Sequence, residues 1–308
     1  MIISASRRTD IPAFYPEWLE DKVRKGSLCV RNPMQETQVG RVNLSPDVID
    51  AFVFWTKNPA PMISRLSAFD RYAYYFQYTL NYYGDEMEPN LPKIEDRIRT
   101  FIELSDKIGK ERVIWRYDPI VFTPVYTPEW HLKCFDTLAQ ILTSHTEKVV
   151  ISLVDIYPAK NGAILSKLGA YNPDQNTRAA FLKALAGIAH MYGLVIATCA
   201  ENLTDQERAF GIAPNACIDR KLIERLLKTE LMDERDGQRG ACMCQKCIDI
   251  GSYDTCTHGC VYCYANYRKE ITANKIKLYD PSSDLLCDSI RPGDRIYDRK
   301  IETFRYPF

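Results

Sequence analysis

Three cysteines near the end of the sequence have the type and spacing that chemistry at a metal centre requires. Cys256, Cys260 and Cys263 follow the pattern C-x3-C-x2-C. Three thiolates on one tight loop can hold three irons of a cubane cluster and leave the fourth iron open to a small ligand. An open iron can take part in a reaction, whereas a cluster held by four cysteines mostly carries electrons or stabilises structure. The triad therefore predicts a reactive [4Fe-4S] cluster.

A zinc ion is the alternative occupant of the triad. Zinc needs a fourth ligand, and the sequence offers His258 inside the triad segment and Cys247 upstream of it. Zinc ligands usually come as two separated C-x2-C or C-x-C pairs, and three closely spaced cysteines suit a tetrahedral ion poorly. The spacing favours the cluster over zinc.

Composition limits where such a centre would work. The 308 residues are 46% hydrophobic and 26% charged, with Lys+Arg 40 balancing Asp+Glu 40, which is typical of a soluble globular protein with no global attraction to nucleic acid or membrane. No signal-like or membrane-length apolar run occurs, so we expect a cytoplasmic protein. Six of the 11 cysteines lie between residues 242 and 263, and in a reducing compartment this crowding indicates metal binding.

The pattern of histidines and glycines disfavours other chemistry. The four histidines form no H-x-x-x-H pair, which disfavours a mononuclear hydrolytic metal centre. No glycine-rich phosphate-binding loop is present, which disfavours hydrolysis of nucleoside triphosphates.

Short apolar runs alternate with amphipathic helical patterns and so predict a parallel sheet with helical crossovers. The predicted strands are Met1–Ala5, Ala51–Trp55, Tyr72–Leu80, Arg112–Arg116, Lys148–Val154 and Leu194–Cys199. The predicted helices are Glu17–Lys25, Ile94–Ile108, Glu129–Leu142, Thr177–Tyr192 and Leu222–Leu231. Residues 27–44 depart from this order and predict an inserted hairpin.

Polar and charged residues collect directly after the predicted strands. In a complete or partial (β/α) barrel of the TIM type, the carboxyl ends of the strands form one face, and that face carries the active site. The candidate catalytic residues on this face are Arg7, Arg8, Asp10, Lys57, Arg116 and Asp118. Convergent basic residues favour an anionic substrate. The alternatives are helix capping and ion pairing of the basic residues with Asp10, Asp118 and Asp155.

A second set of cysteines predicts a second metal site. Cys242 and Cys244, with Cys199 and Cys217, would supply four thiolates for an auxiliary iron–sulfur cluster or a structural zinc. Cys247 competes for membership, because it forms a compact unit with Cys242 and Cys244. We favour the quartet, since Cys199 falls on the predicted active face, although buried free thiols are the alternative. We expect Cys29, Cys134 and Cys287 to be ordinary buried free thiols.

Around the triad the sequence is similar to the radical S-adenosylmethionine (radical SAM) superfamily, because an aromatic residue, Tyr262, precedes the last cysteine of the pattern. Nearly the whole chain also resembles one family, domain of unknown function 1848. The segments that carry this second resemblance are residues 4–12, 54–59, 115–119, Gln238 and Arg239 before Cys242, and 249–253 leading into the triad.

Resemblance to the superfamily implies a mechanism in outline. Cys256, Cys260 and Cys263 would bind the cluster, whose open iron would chelate the amino and carboxylate groups of S-adenosylmethionine. One electron, from a donor such as flavodoxin or ferredoxin, would cleave the sulfonium and yield a 5′-deoxyadenosyl radical that abstracts hydrogen from a substrate. Tyr262 and Tyr264 would lie near the adenine. Glu88 or Glu201, each just past a strand, would bind the methionine amino group.

The triad lies later in the chain than members of the superfamily usually place it. In a closing barrel the last and first strands are neighbours, so a permuted order would return the loop to the same place. We therefore expect a permuted barrel over residues 1–235, a cysteine-rich cluster-binding segment over 236–270 and a wrapping tail over 271–308. The predicted function is a radical SAM-type enzyme acting on an unidentified substrate. The alternative is a non-catalytic zinc or iron–sulfur protein with a ligand-binding barrel face.

Overall fold

An eight-stranded sheet in which all neighbouring strands are parallel forms the main element of the fold. The computed structural model describes residues 1–157, 161–235 and 242–307. In spatial order the strands are β10 (Cys247–Asp249), β1 (Ile2–Ala5), β4 (Ala51–Thr56), β5 (Ala73–Thr79), β6 (Val113–Ile120), β7 (Lys148–Leu153), β8 (Val195–Thr198) and β9 (Ala213–Pro214). The predicted α/β class with parallel strands is confirmed, and so are the six predicted strands.

The helices follow the strands as crossover connections. They are α1 (Ile11–Phe14), α2 (Pro16–Lys25), α3 (Ala60–Ile63), α4 (Ile94–Ile108), α5 (Pro128–Leu142), α6 (Ala163–Lys167), α7 (Gln175–Met191), α8 (Asp205–Arg208), α9 (Arg220–Leu227) and α10 (Lys269–Ile276). Thr127 and Asp174 cap α5 and α7 by accepting hydrogen bonds from backbone N–H groups of the first turn. Helix α9 ends earlier than predicted, because Lys228 adopts a left-handed backbone with φ of +56°.

The sheet is curved, as contacts across its inner face demonstrate. Tyr75 Oη and Gln77 Nε2, both on β5, donate hydrogen bonds to the backbone carbonyl of Cys217 at 2.7 and 2.9 Å. Cys217 lies just past β9, four strand positions from β5 in the sheet order, or about 19 Å away in a flat sheet. A tyrosine side chain spans far less than that, so the strands must bend around a common interior.

The two edges of the sheet approach each other. Gln245 N–H, just before β10, donates to the carbonyl of Ile218, just after β9, at 3.0 Å. From β1 to β9 the strand order follows the chain without the reversal that defines a doubly wound sheet. The arrangement is therefore a curved arc of parallel strands whose interior is bounded by β10 and β9.

A second sheet and the C-terminal residues pack on the outside of the main sheet. The antiparallel strands β2 (Ser27–Arg31) and β3 (Gln38–Asn43) confirm the inserted hairpin, and β11 (Arg295–Asp298) pairs parallel with β3. Lys22 Nζ and Trp18 Nε1 on α2 donate to the carbonyls of Ser282 and Ser283 at 2.8 and 2.9 Å. These buried bonds hold the tail against the first half of the chain.

The division of the chain into three parts stays a prediction. Its first boundary, at residue 236, lies outside the described residues, as do Gln238 and Arg239. Among the described residues, none of the helices combines the length and the apolar character that crossing a membrane requires.

The Tyr75 hydroxyl is predicted to stabilise the curved sheet. It donates to Cys217 and accepts from the backbone N–H of Asp219 at 2.9 Å. Tyr75→Phe removes the partner of the Asp219 N–H and leaves the Cys217 carbonyl with Gln77 alone, which should lower the free energy of unfolding by about 1–3 kcal/mol. Urea unfolding followed by circular dichroism measures the change. Tyr306→Phe, at a side chain that is 55% exposed, is the matched control, and an equal effect of both substitutions would contradict the assignment.

Candidate active site

The pairing of β10 brings the triad loop to the carboxyl edge of the strands. Ile2, Ile3 and Ser4 of β1 lie opposite Cys247, Ile248 and Asp249 of β10 in a parallel register. Residues that follow β10 therefore emerge at the same edge of the sheet as residues that follow β1. The structure thus brings residues 250–265, which contain the triad, beside residues 6–10 near the start of the chain.

Asp249, at the end of β10, fastens these two segments together. Its carboxylate accepts hydrogen bonds from Ser6 Oγ at 2.6 Å, Arg7 N at 2.9 Å, Gly251 N at 3.0 Å and Ser4 Oγ at 3.1 Å. A Cβ atom on Gly251 would lie 2.1 Å from Ser6 Oγ, so only glycine permits this approach. Asp249 belongs to a segment that carries the family resemblance, but sequence reasoning gave it no role.

Asp10 joins the triad loop to the ends of two strands. Its carboxylate accepts from Lys57 N after β4 at 2.7 Å and from Ala13 N in α1 at 3.0 Å, and it contacts Nε2 of His258 at 2.8 Å. His258 lies between two cysteines of the triad and is buried, with its ring 4.6 Å from that of Phe14. Asp10, a predicted catalytic residue, is therefore an anchor of the triad loop.

Two asparagines tie the triad loop to the loops after β5 and β7. Asn90 Nδ2 donates to the carbonyl of Thr257 at 2.8 Å, and Asn90 N donates to the carbonyl of His258 at 3.2 Å. Asn161 Nδ2 donates to the carbonyl of Tyr262 at 3.0 Å. The loop is thus bonded to segments that follow β1, β4, β5 and β7, which the sequence predicted would share one face.

The thiols of the triad lie in a buried setting. Burial raises the pKa of Cys260 to about 12, and burial, together with the nearby carboxylate of Asp10 and the thiol of Cys260, raises the pKa of Cys256. The backbone N–H of Ala265 donates to Cys263 Sγ at 3.3 Å. A thiol loses its proton when it ligates a metal, so binding at these residues would release protons.

Cysteine sulfur is the ligand type that iron–sulfur clusters use, and the triad loop carries three such sulfurs, one of which accepts a backbone hydrogen bond. Over residues 1–157, 161–235 and 242–307, no group of three or more His, Cys, Asp or Glu residues is arranged so that it could hold a metal ion.

A buried charged network underlies the loop. Lys57 Nζ donates to Glu88 Oε1 at 2.7 Å and to Tyr262 Oη at 2.8 Å, and it lies 5.3 Å from the centroid of the Tyr262 ring. Tyr262 Oη donates to Glu88, and Arg97 Nη1 donates to Glu88 Oε2 at 3.1 Å. The positive charge of Lys57 acts on the neighbouring Cys260 thiol and opposes the effect of burial on its pKa.

The two glutamates predicted to bind an amino group occupy different surroundings. Burial acts to raise the pKa of Glu88, but the charges of Lys57 and Arg97 outweigh it and lower that pKa. Its oxygens already accept from three donors beside the triad loop. Glu201 instead accepts from Leu153 N at 3.0 Å and lies 3.6 Å from Arg178, and burial raises its pKa. Of the two, the structure brings Glu88 to the loop.

Two of the four predicted basic residues, Arg7 and Arg116, lie against an aromatic ring that sequence reasoning missed. The guanidinium carbons of Arg7 and Arg116 lie 5.9 and 5.2 Å from the Trp55 ring centroid. Arg116 forms an ion pair with Asp118, which is one of the pairings weighed as an alternative. Arg8 lies over the Tyr253 ring at 5.3 Å. Arg7 and Arg116 thus lie close to the same side chain, Trp55.

Three of the four cysteines predicted to form the second set come together. Cys199 Sγ and Cys217 Sγ are 3.2 Å apart, and the nearby Cys244 thiol acts to raise the pKa of Cys217. Cys247 contacts a different group, because Arg7 Nη2 donates to its sulfur at 3.3 Å. Cys242 is half-buried against the core. The cysteines predicted to be buried thiols are buried: Cys29, Cys134 and Cys287.

Glu88→Gln is predicted to destabilise the protein in a pH-dependent way. At neutral pH the substitution leaves two buried cations without their counter-charge and should cost about 3–5 kcal/mol of unfolding free energy. Because the pKa of Glu88 is lower in the folded protein, its ionised carboxylate stabilises the fold. This stabilisation is complete above pH 4.5, the ordinary pKa of glutamate, and is lost as the pH falls through the pKa of the folded state. The difference between wild type and variant should therefore shrink below pH 4.5.

Urea unfolding of both proteins at pH 7 and at acid pH measures this difference. The control is Glu302→Gln, at a side chain that is 70% exposed. A difference between wild type and Glu88→Gln that stays constant with pH would contradict the role of the carboxylate charge.

Comparison with known proteins places the chain in a family. A family model described as a domain of unknown function (DUF1848) matches residues 2–265, from the first strand through the triad. No curated protein matches the chain. Because the family match covers well over half of the sequence, the protein belongs to the DUF1848 family.

Proposed function

We propose that this protein is a radical SAM-type enzyme. Cys256, Cys260 and Cys263 would hold a [4Fe-4S] cluster, and S-adenosylmethionine would bind at the open iron. When bound, the two supply chemistry that abstracts a hydrogen atom from a substrate. The observation that carries the proposal is the position of the triad loop, which follows β10 at the carboxyl edge of a parallel sheet, beside β1.

The position of the loop supports a catalytic function because of what shares its face. In sheets of parallel strands linked by helices, ligands bind at the carboxyl ends of the strands. Trp55 and Lys57 come from the carboxyl end of β4, and Arg116, from within β6, lies against the Trp55 ring. A structural zinc site would not need charged residues from several strand ends around it.

Tyr262 and Tyr264, both predicted to lie near the adenine, have different surroundings. Tyr262 is 7% exposed and hydrogen-bonds Glu88 and Lys57, so it holds the loop in place. Tyr264 is 40% exposed and donates to the backbone carbonyl of Arg7 at 2.9 Å. Tyr264 is therefore the better placed of the two to contact the adenine of a bound S-adenosylmethionine.

The charges of Arg7 and Arg8 support an anionic ligand. Arg7 and Arg8 both lie 3.9 Å from the single carboxylate of Asp249. Two guanidinium groups against one carboxylate leave an excess positive charge, whereas Arg116 is balanced by Asp118. We assign the excess charge to a carboxylate, either that of S-adenosylmethionine or that of the substrate. The reaction would take place in the cytoplasm with electrons from a flavodoxin- or ferredoxin-type protein.

Anaerobic reconstitution tests the proposed function. Protein treated with iron and sulfide should develop iron–sulfur absorption and, with dithionite and S-adenosylmethionine, release 5′-deoxyadenosine. Cys256→Ala, Cys260→Ala and Cys263→Ala should each abolish the product, because each removes one ligand of the cluster. Cys134→Ala, at a buried cysteine on α5, is the matched control and should retain both absorption and product.

Two results would contradict this function. One is stoichiometric zinc in place of iron after anaerobic purification, which would favour the non-catalytic metal protein. The other is a cluster that forms normally in all three triad variants, which would place the ligands elsewhere in the chain.

A further inference from the structure

Two thiols inside the curved sheet are in contact. Cys199 follows β8 and Cys217 follows β9, and their sulfurs are 3.2 Å apart. A disulfide has a sulfur–sulfur distance of about 2.05 Å, so a shift of only about 1 Å separates this pair from a covalent bond. We propose that Cys199 and Cys217 form a redox-active dithiol that exchanges with low-molecular-weight disulfides. This proposal does not rest on the cluster or on S-adenosylmethionine.

Two N–H donors contact the sulfur of Cys217. Arg116 Nη1 and Asn215 Nδ2 donate hydrogen bonds to Cys217 Sγ at 3.1 and 3.2 Å. These donors and the guanidinium charge would compensate the negative charge on the Cys217 sulfur while it attacks a disulfide. Asp118 accepts from Nε and Nη2 of Arg116, and Gln77 Oε1 accepts from the same Nη1 that donates to Cys217.

The positions of the two cysteines give them different roles. Cys217 is 3% exposed, and hydrogen bonds from Tyr75 and Gln77 to its carbonyl fix its backbone. Cys199 is half-buried at the end of β8 and is the more accessible of the two. An incoming disulfide would therefore meet Cys199 first, and Cys217 would complete the exchange.

The exchange balances without a further reactant. Cys199 attacks one sulfur of a small disulfide, a mixed disulfide forms, and the displaced thiolate leaves with the proton of Cys199. Cys217 then attacks the Cys199 sulfur, displaces the second small thiolate, and that group takes up the proton of Cys217. The small disulfide gains two electrons as two thiols, and the protein loses two electrons as one disulfide.

Trapping the pair in the full chain tests the proposal. Anaerobically purified protein is equilibrated with oxidised and reduced glutathione in varied ratios, quenched in acid, alkylated and mapped by peptide mass spectrometry. We expect a Cys199–Cys217 cross-linked peptide that grows with the oxidised fraction and disappears on reduction. Cys217→Ser should abolish the cross-link and accumulate glutathione on Cys199. Cys134→Ser is the control and should leave the cross-link unchanged.

Several results would overturn the dithiol. Alkylation of both cysteines at every ratio would do so, as would a Cys217–Cys244 cross-link in place of the expected one. Zinc or iron that is bound in stoichiometric amount and lost in Cys199→Ser would assign these residues to a metal. In a protein with Cys256, Cys260 and Cys263 all replaced by alanine, the Cys199–Cys217 cross-link should persist, which separates this test from that of the cluster.

Discussion

The pairing of β10 with β1 is the interaction on which the rest of the structure depends. It joins strands from opposite ends of the chain, and both Ile3 and Ile248 are buried in the pair. Side chains alternate between the two faces of a strand, so a slip of one residue would turn Asp249 away from Ser4 and Ser6. The Asp249 hydrogen bonds, the approach at Gly251 and the place of the triad loop all follow from this register.

A buried network of charged groups lies beside the triad. Lys57 and Arg97 together exceed the single negative charge of Glu88, and the excess positive charge lies beside Cys260. Buried ions are costly unless they are paired and hydrogen-bonded, and all three groups here are. The network fixes Tyr262 and offers compensation for negative charge on the neighbouring sulfur. A loop stabilised by packing alone would not need this excess positive charge beside it.

The sequence predicted the strands and helices that have a clear hydrophobic pattern. It also predicted that the carboxyl ends of the strands share one face. Six strands and the long helices are as expected, because buried parallel strands are continuous apolar runs. The short strands β9, β10 and β11 lack such runs and were missed. Arg7, Lys57 and Arg116 could be placed on one face, since parallel strands end together. Their partners Trp55 and Asp249 could not, because contacts between residues far apart in the sequence leave no local pattern.

Electron paramagnetic resonance of the dithionite-reduced, reconstituted protein, recorded with and without S-adenosylmethionine, tests the open iron of the triad cluster most directly. We predict a reduced-cluster signal whose g values change when S-adenosylmethionine is added, because three cysteines leave one iron free to take a new ligand. Cys134→Ala should behave like wild type, and Cys260→Ala should lose the signal. A cluster signal that S-adenosylmethionine leaves unchanged would contradict an open iron at the triad.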